Sequence, residues 1–284
     1  MLVGLAGAAV WYAWGVRSLW RAAGRERGIG GAQLWAFGGG LLTLVVALVS
    51  PLDAMGDALF SAHMTQHLLL ILVAAPLLVL GEPVLPMLWA IPTAARRRGA
   101  RWWRRATVLP AMAHALSHPS VAWVLHVGAL LFWHIPAPYG WTVRHDAVHA
   151  VEHVSFLGTA MLFWWAVLQP TGRRRLSYAM SVLYVSTAGM LMGALGAILT
   201  FAPSPWYVAH LTTTAPWHVT PLEDQQLAGV IMWVPAGLVY LVAASVFFMK
   251  WLGPDTPRAA DLQPIERPVR AHDIGMRIVA RTRT

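Results

Sequence analysis

Seven stretches of mostly apolar residues, each about as long as a helix that crosses a bilayer, constrain this chain more than any other feature. They fall at about 2–20, 32–50, 58–80, 120–136, 147–168, 177–200 and 224–250. A hydrocarbon layer of about 30 Å takes roughly 20 helical residues, because every backbone N–H and C=O must find its partner within the segment. The fold class expected is therefore all-α: a polytopic membrane protein with seven transmembrane helices in residues 1–252, followed by a flexible polar tail at 253–284. Turn formers punctuate the connections, as at Ser50-Pro51, Gly81-Glu82-Pro83, Gln169-Pro170-Thr171-Gly172 and Ala202-Pro203-Ser204-Pro205. The first stretch has neither a basic run before it nor a small-residue cleavage site, so it is expected to be a retained helix rather than a signal peptide.

Composition points the same way. Of 284 residues, 57% are hydrophobic and only 12% charged, where soluble domains carry about a quarter charged. A net charge of +9 raises the question of nucleic acid, but 16 Trp among long Leu/Ala/Val runs fit bilayer headgroups, so the lipid bilayer and not nucleic acid is the expected partner. The absence of Cys excludes disulfides, thiolate metal sites, iron–sulfur clusters and thiol nucleophiles. Any metal must then use His, Met, carboxylate or backbone oxygen.

Orientation follows from the 21 Lys and Arg. Groups at Arg17 to Arg27, Arg96 to Arg105, Arg173 to Arg175 and from Lys250 onward all fall on one side of a seven-helix topology, leaving Arg144 alone opposite. The positive-inside rule then places the N-terminus outside and the C-terminus in the cytoplasm. The arginine-rich segment 96–110, with Trp102 and Trp103, is expected to lie along the cytoplasmic headgroups.

On this topology His63, His67, His134, His145, His149, His153, His210 and His218 share the outer end with Asp53, Asp57, Asp146, Glu152, Glu223 and Asp224. A surface rich in imidazole and carboxylate and poor in cations suits a metal ion or protons arriving from outside, not an anion. Twelve His placed at random would give about 0.5 pairs at i,i+4; the chain has four, at 63/67, 114/118, 145/149 and 149/153. Such a pair lies on one helical face and can converge on one ion. His63, His67, His149 and His153 are the expected ligands, with His134 in Trp133-His134-Ile135-Pro136 as an additional one. His126 lies about 12 Å deeper and reads equally as a core histidine.

Met64, Glu152, Asp224, Gln225 and Gln226 are assigned to ion entry or to positioning the imidazoles, with capping of a following helix as the competing reading for Asp224. Imidazole suits copper and zinc alike, and neighbouring Met favours Cu(I) mildly. Residue chemistry therefore leaves three functions open: copper handling, an intramembrane zinc-dependent hydrolase with Glu152 or Asp224 as base, and a haem-binding redox protein.

The ordered runs Ser50-Pro51-Leu52-Asp53, Ser61-Ala62-His63-Met64-Thr65-Gln66-His67, Ala75-Pro76-Leu77-Leu78, Trp133-His134-Ile135-Pro136, His149-Ala150-Val151-Glu152-His153 and Leu222-Glu223-Asp224-Gln225-Gln226 span roughly residues 30–250. Together they resemble the CtaG family of polytopic bacterial cytochrome c oxidase assembly factors. The resemblance implies a non-enzymatic, multi-pass protein of the bacterial plasma membrane that assists oxidase maturation. It also implies cytochrome c oxidase subunits as partners, and copper supplied to their metal centres. The Cys-free chain does not resemble the single-span, cysteine-bearing copper chaperone that shares the family's gene name.

Overall fold

The computed structural model describes residues 1–168 and 176–253. The expected turn at 169–172, the Arg173 to Arg175 cluster and the tail from 254 onward lie outside the described residues. Every regular element among them is helical.

Helices α1 (Leu2–Ala23) and α2 (Gly31–Val49) are long and apolar enough to cross a membrane. They are followed by a short helix, α3 (Pro51–Ala58), where the Ser50-Pro51 pair predicts a turn. Ser50 starts it by accepting from Leu52 N–H, with Pro51 at the first position where its missing donor costs nothing. The third span, 60–80, consists of α4 (Phe60–Leu68), a π-helical segment at Leu69–Ala74 and α5 (Ala75–Leu80). Pro76 accounts for the irregularity, since its ring clashes with the carbonyl four residues earlier and it offers no N–H. Ala75 N–H bonds back to Leu70 O, which frees Ile71 O, and the indole of Trp164 takes that carbonyl at 2.9 Å.

Two short helices, α6 (Val84–Ala90) and the arginine-rich α7 (Thr93–Arg105), lead into α8 (Val108–Leu116). No residue of α7 or α8 is buried, and Arg96 sits over the Trp89 ring at 4.4 Å. The expected fourth span at 120–136 is instead α9 (Pro119–Trp133), only 15 residues. At 1.5 Å per residue that is about 22 Å, short of the apolar layer. It forms a membrane-length unit only with α8, from which it is bent by 74° at the break before Pro119. The described helices therefore supply six spans, or seven if the bent pair counts as one.

Pro136 stops α9, because Ile135 before it must be extended, and opens the short α10 (Pro136–Arg144). Three long helices complete the bundle: α11 (Asp146–Leu168), α12 (Tyr178–Thr200) and α13 (Pro221–Leu252). Thr220 and Glu223 form a capping box at the start of α13. A Cβ on Gly229 would stand 2.6 Å from the Gly196 carbonyl, so only glycine lets α12 and α13 approach this closely.

Trp35, Val154 and Met190 are each more than 70% exposed. A soluble fold would bury such side chains; helices bathed in lipid need not. The main core joins α5, α9, α11, α12 and α13. A smaller one, of Phe60, Met64, Tyr139, Leu199, Tyr207, Ala228 and Met232, roofs the end where α4, α11 and α13 begin and α9 stops.

Candidate metal centre

Helical spacing alone aims the first two imidazoles. His63 and His67, one turn apart on α4, have ring centroids 4.3 Å apart and are both buried. Facing them on α11, His149 stacks on His63 at 5.0 Å, and His153 meets the edge of His67 at 5.4 Å. Between the pairs stands Glu152, 1% exposed, whose Oε2 lies 3.4 Å from His63 Nε2 and 3.7 Å from His67 Nε2.

One ligand atom from each of His63, His67, His149 and Glu152 lies within 4.8 Å of the others. Around a tetrahedral ion with bonds of ~2.1 Å, ligand atoms stand ~3.4 Å apart, so modest side-chain rotation closes the set. His153 adjoins this group without belonging to it, its ring 4.2 Å from that of His149. His134 is also separate. Its Nδ1 donates to Leu130 O at 2.7 Å and its Nε2 faces Met64 Sδ at 3.3 Å.

Polar atoms of this group and of the adjoining His153 are buried without hydrogen-bond partners: His63 Nε2, both ring nitrogens of His67, Nε2 of His149 and of His153, and Glu152 Oε2. One such orphan costs about 1–3 kcal/mol, so six in one spot need a common explanation. A cation supplies one, because it satisfies lone pairs that no donor reaches. Among the described residues no Lys or Arg comes within ion-pair distance of Glu152.

The surrounding residues hold the helices rather than the imidazoles. Asp224, expected at ion entry or beside a ligand, instead accepts from Phe60 N–H (2.6 Å), Ser61 N–H (3.1 Å) and Ser61 O–H (2.5 Å). A carboxylate at the first turn of α13 thus also caps α4, satisfying donors that a helix start leaves orphaned. Gln225 and Gln226 bond no histidine. Gln225 accepts from Trp206 N–H and donates to Ser204 O, and Gln226 donates to Ala202 O, so both bind the 202–206 loop to α13. The expected imidazole partnership fails because both amides are taken by loop backbone that sequence pattern cannot place.

Two contributors went unrecognised. Tyr139 on α10 packs its ring 5.1 Å from His63 and donates to His210 Nε2 at 2.6 Å. His210, expected in a loop either to capture an incoming ion or to be solvated, is instead buried and donates from Nδ1 to Ala58 O. Burial holds its pKa below the ordinary imidazole range and that of Tyr139 well above the phenol range, which keeps both neutral for this bond. His126 is a core histidine, bonded to Thr159 Oγ1 at 3.4 Å and packed on Phe163.

With the site described, comparison with known proteins gives the family. The model for the cytochrome c oxidase caa3 assembly factor family, Caa3_CtaG, matches residues 10–253. The chain belongs to this family. Among similar proteins, the uncharacterized proteins Mb0105 of Mycobacterium bovis and MT0111 of Mycobacterium tuberculosis are each 28% identical over 99% of the chain. The uncharacterized protein ML1998 of Mycobacterium leprae is 26% identical over 93% of it. The chain spans 44%, 44% and 41% of the lengths of these three relatives, less than half of each. No solved structure matches it. The His/Glu group lies within the region that the Caa3_CtaG model matches.

Proposed function

We propose that this Caa3_CtaG protein binds copper as cargo at His63, His67, His149 and Glu152 and passes it to cytochrome c oxidase during assembly. The observation that carries the reading is the convergence, between α4 and α11, of one ligand atom from each of His63, His67, His149 and Glu152, all four of which carry buried polar atoms without hydrogen-bond partners. Three neutral imidazoles and a carboxylate make a borderline donor set, suited to copper and zinc and unsuited to magnesium or calcium. Haem is the poorer fit, because His63 and His149 stack 5.0 Å apart with Tyr139 and His67 against them, leaving no slot for a macrocycle. The asymmetry of Lys and Arg along the sequence supports a site at the outer face of the plasma membrane, where copper arrives.

The test is metal analysis of protein purified without added metal, followed by titration of Cu(I), Cu(II) and Zn(II). Copper should bind at one ion per chain in the His/Glu group, and a deletion strain at limiting copper should make oxidase polypeptides that lack copper and activity. Full copper occupancy of the oxidase in that strain overturns the proposal. Glu152→Gln separates it from a zinc hydrolase: a copper carrier loses affinity, whereas a hydrolase using Glu152 as its base keeps the metal and loses turnover.

A further inference from the structure

The sulfur of Met64, the residue after His63 on α4, and the ring nitrogen of His134 at the end of α9 face each other outside the His/Glu group. Ordinary hydrogen bonding does not explain the contact. His134 closes α9, where the last turn leaves carbonyls without helical partners, and its Nδ1–H takes one of them, Leu130 O, at 2.7 Å. That bond fixes the proton on Nδ1, so Nε2 presents a lone pair. The lone pair meets a thioether, which has no proton to offer, at 3.3 Å. Both side chains are buried, and Tyr207 O–H anchors the His134 carbonyl from the 201–220 loop.

We infer that Met64 Sδ and His134 Nε2 form a second metal site, distinct from the His/Glu group and selective for monovalent copper. Thioether sulfur and a neutral imidazole are donors that prefer Cu(I), and neither brings the negative charge that helps hold a divalent ion. Bonds of ~2.0 Å to nitrogen and ~2.3 Å to sulfur bridge the 3.3 Å separation at a bent angle. A third donor can then complete the shell. The inference rests on the copper reading for its physiological meaning, because a soft site beside a borderline one gives the cargo two adjacent stations.

The experiment uses the full chain in detergent, labelled with selenomethionine and loaded anaerobically with Cu(I), or with Ag(I) as a redox-inert stand-in. X-ray absorption should show a copper–selenium distance, and monovalent metal should bind at two equivalents against one for Zn(II). Met64→Leu, a near-isosteric change in a packed site, should abolish the selenium scattering and one monovalent equivalent while leaving Zn(II) binding unchanged. Absence of copper–selenium scattering in the wild-type protein overturns the inference. So does a single ion that needs both Met64 and His149. Absence of copper from the His/Glu group with Met64-dependent Cu(I) binding intact would instead overturn the function proposed above and leave this site standing.

Discussion

Replacing Asp224 tests whether the start of the histidine helix is held from 164 residues away. Its carboxylate, 2% exposed, receives two backbone N–H groups and one hydroxyl from Phe60 and Ser61. Hydrogen bonds to a carboxylate contribute about 1.5–3 kcal/mol each, but the three share one acceptor group and are not additive. In Asp224→Asn one oxygen remains, and the new amide N–H₂ turns toward a donor, so about one bond is lost and one repulsion gained. The expected cost is about 2–3 kcal/mol. Asp224→Ala strands both N–H groups in a dry environment at about 1–3 kcal/mol each and is expected to cost about 3–5 kcal/mol in all. For a chain of this size that is a fall in Tm of roughly 5–15 °C. Thermal unfolding in detergent reads the loss, and metal titration reads its effect on His63, three residues from the cap: affinity should fall about tenfold in Asp224→Asn. A variant with unchanged Tm and unchanged metal affinity would refute the capping argument, whatever the fate of the metal site itself.

Alanine at His63, His67 or His149 should each remove most binding of one shared ion, with double variants across α4 and α11 losing little more than the worse single; additive losses by calorimetry would mean two ions. His153→Ala should weaken binding less than any of these three, because its nitrogen stands outside the converging set, and an equal loss would redraw the site. Cysteine placed at Ser204 should react with membrane-impermeant thiol reagents on sealed cells and one at Arg98 should not; the reverse pattern inverts the orientation. Because the folded-state pKa of His210 is lowered by burial, the unfolded chain binds a proton first as pH falls. Stability should therefore decline as pH drops from the ordinary imidazole value, near 6.5, toward the lower folded value. His210→Gln, which keeps an acceptor and a donor without titrating, should flatten that part of the profile, and an unchanged slope in unfolding assays would assign it elsewhere.

What could be read in advance was what local pattern carries. Apolar runs of bilayer length located every long helix, because a lipid environment leaves the backbone so few alternatives. The i,i+4 spacing placed His63 beside His67 and His149 beside His153 for the same local reason. Contacts between distant segments were not legible. Glu152 was assigned outside the ligand set, though its position between His149 and His153 on the inward face of α11 could have put it inside. Asp224 serves α4 rather than an ion, and Gln225 and Gln226 serve a loop, because partners 19 to 164 residues away leave no periodic trace. The shortness of α9 was hidden by apolar residues that continue past its end into Ile135 and Pro136.

The π-helical segment between α4 and α5 has a consequence for how such a protein can change over generations. Ile71 O is handed to Trp164 instead of to the next turn, so the helical phase above the segment is offset from the phase below it. Removing one residue from 69–74 would leave Pro76 to interrupt the ladder as before, and it would swing His63 and His67 by about 100° relative to α5. The extra residue behaves as a fixed swivel. Single-residue insertions and deletions here should be far less tolerated than substitutions.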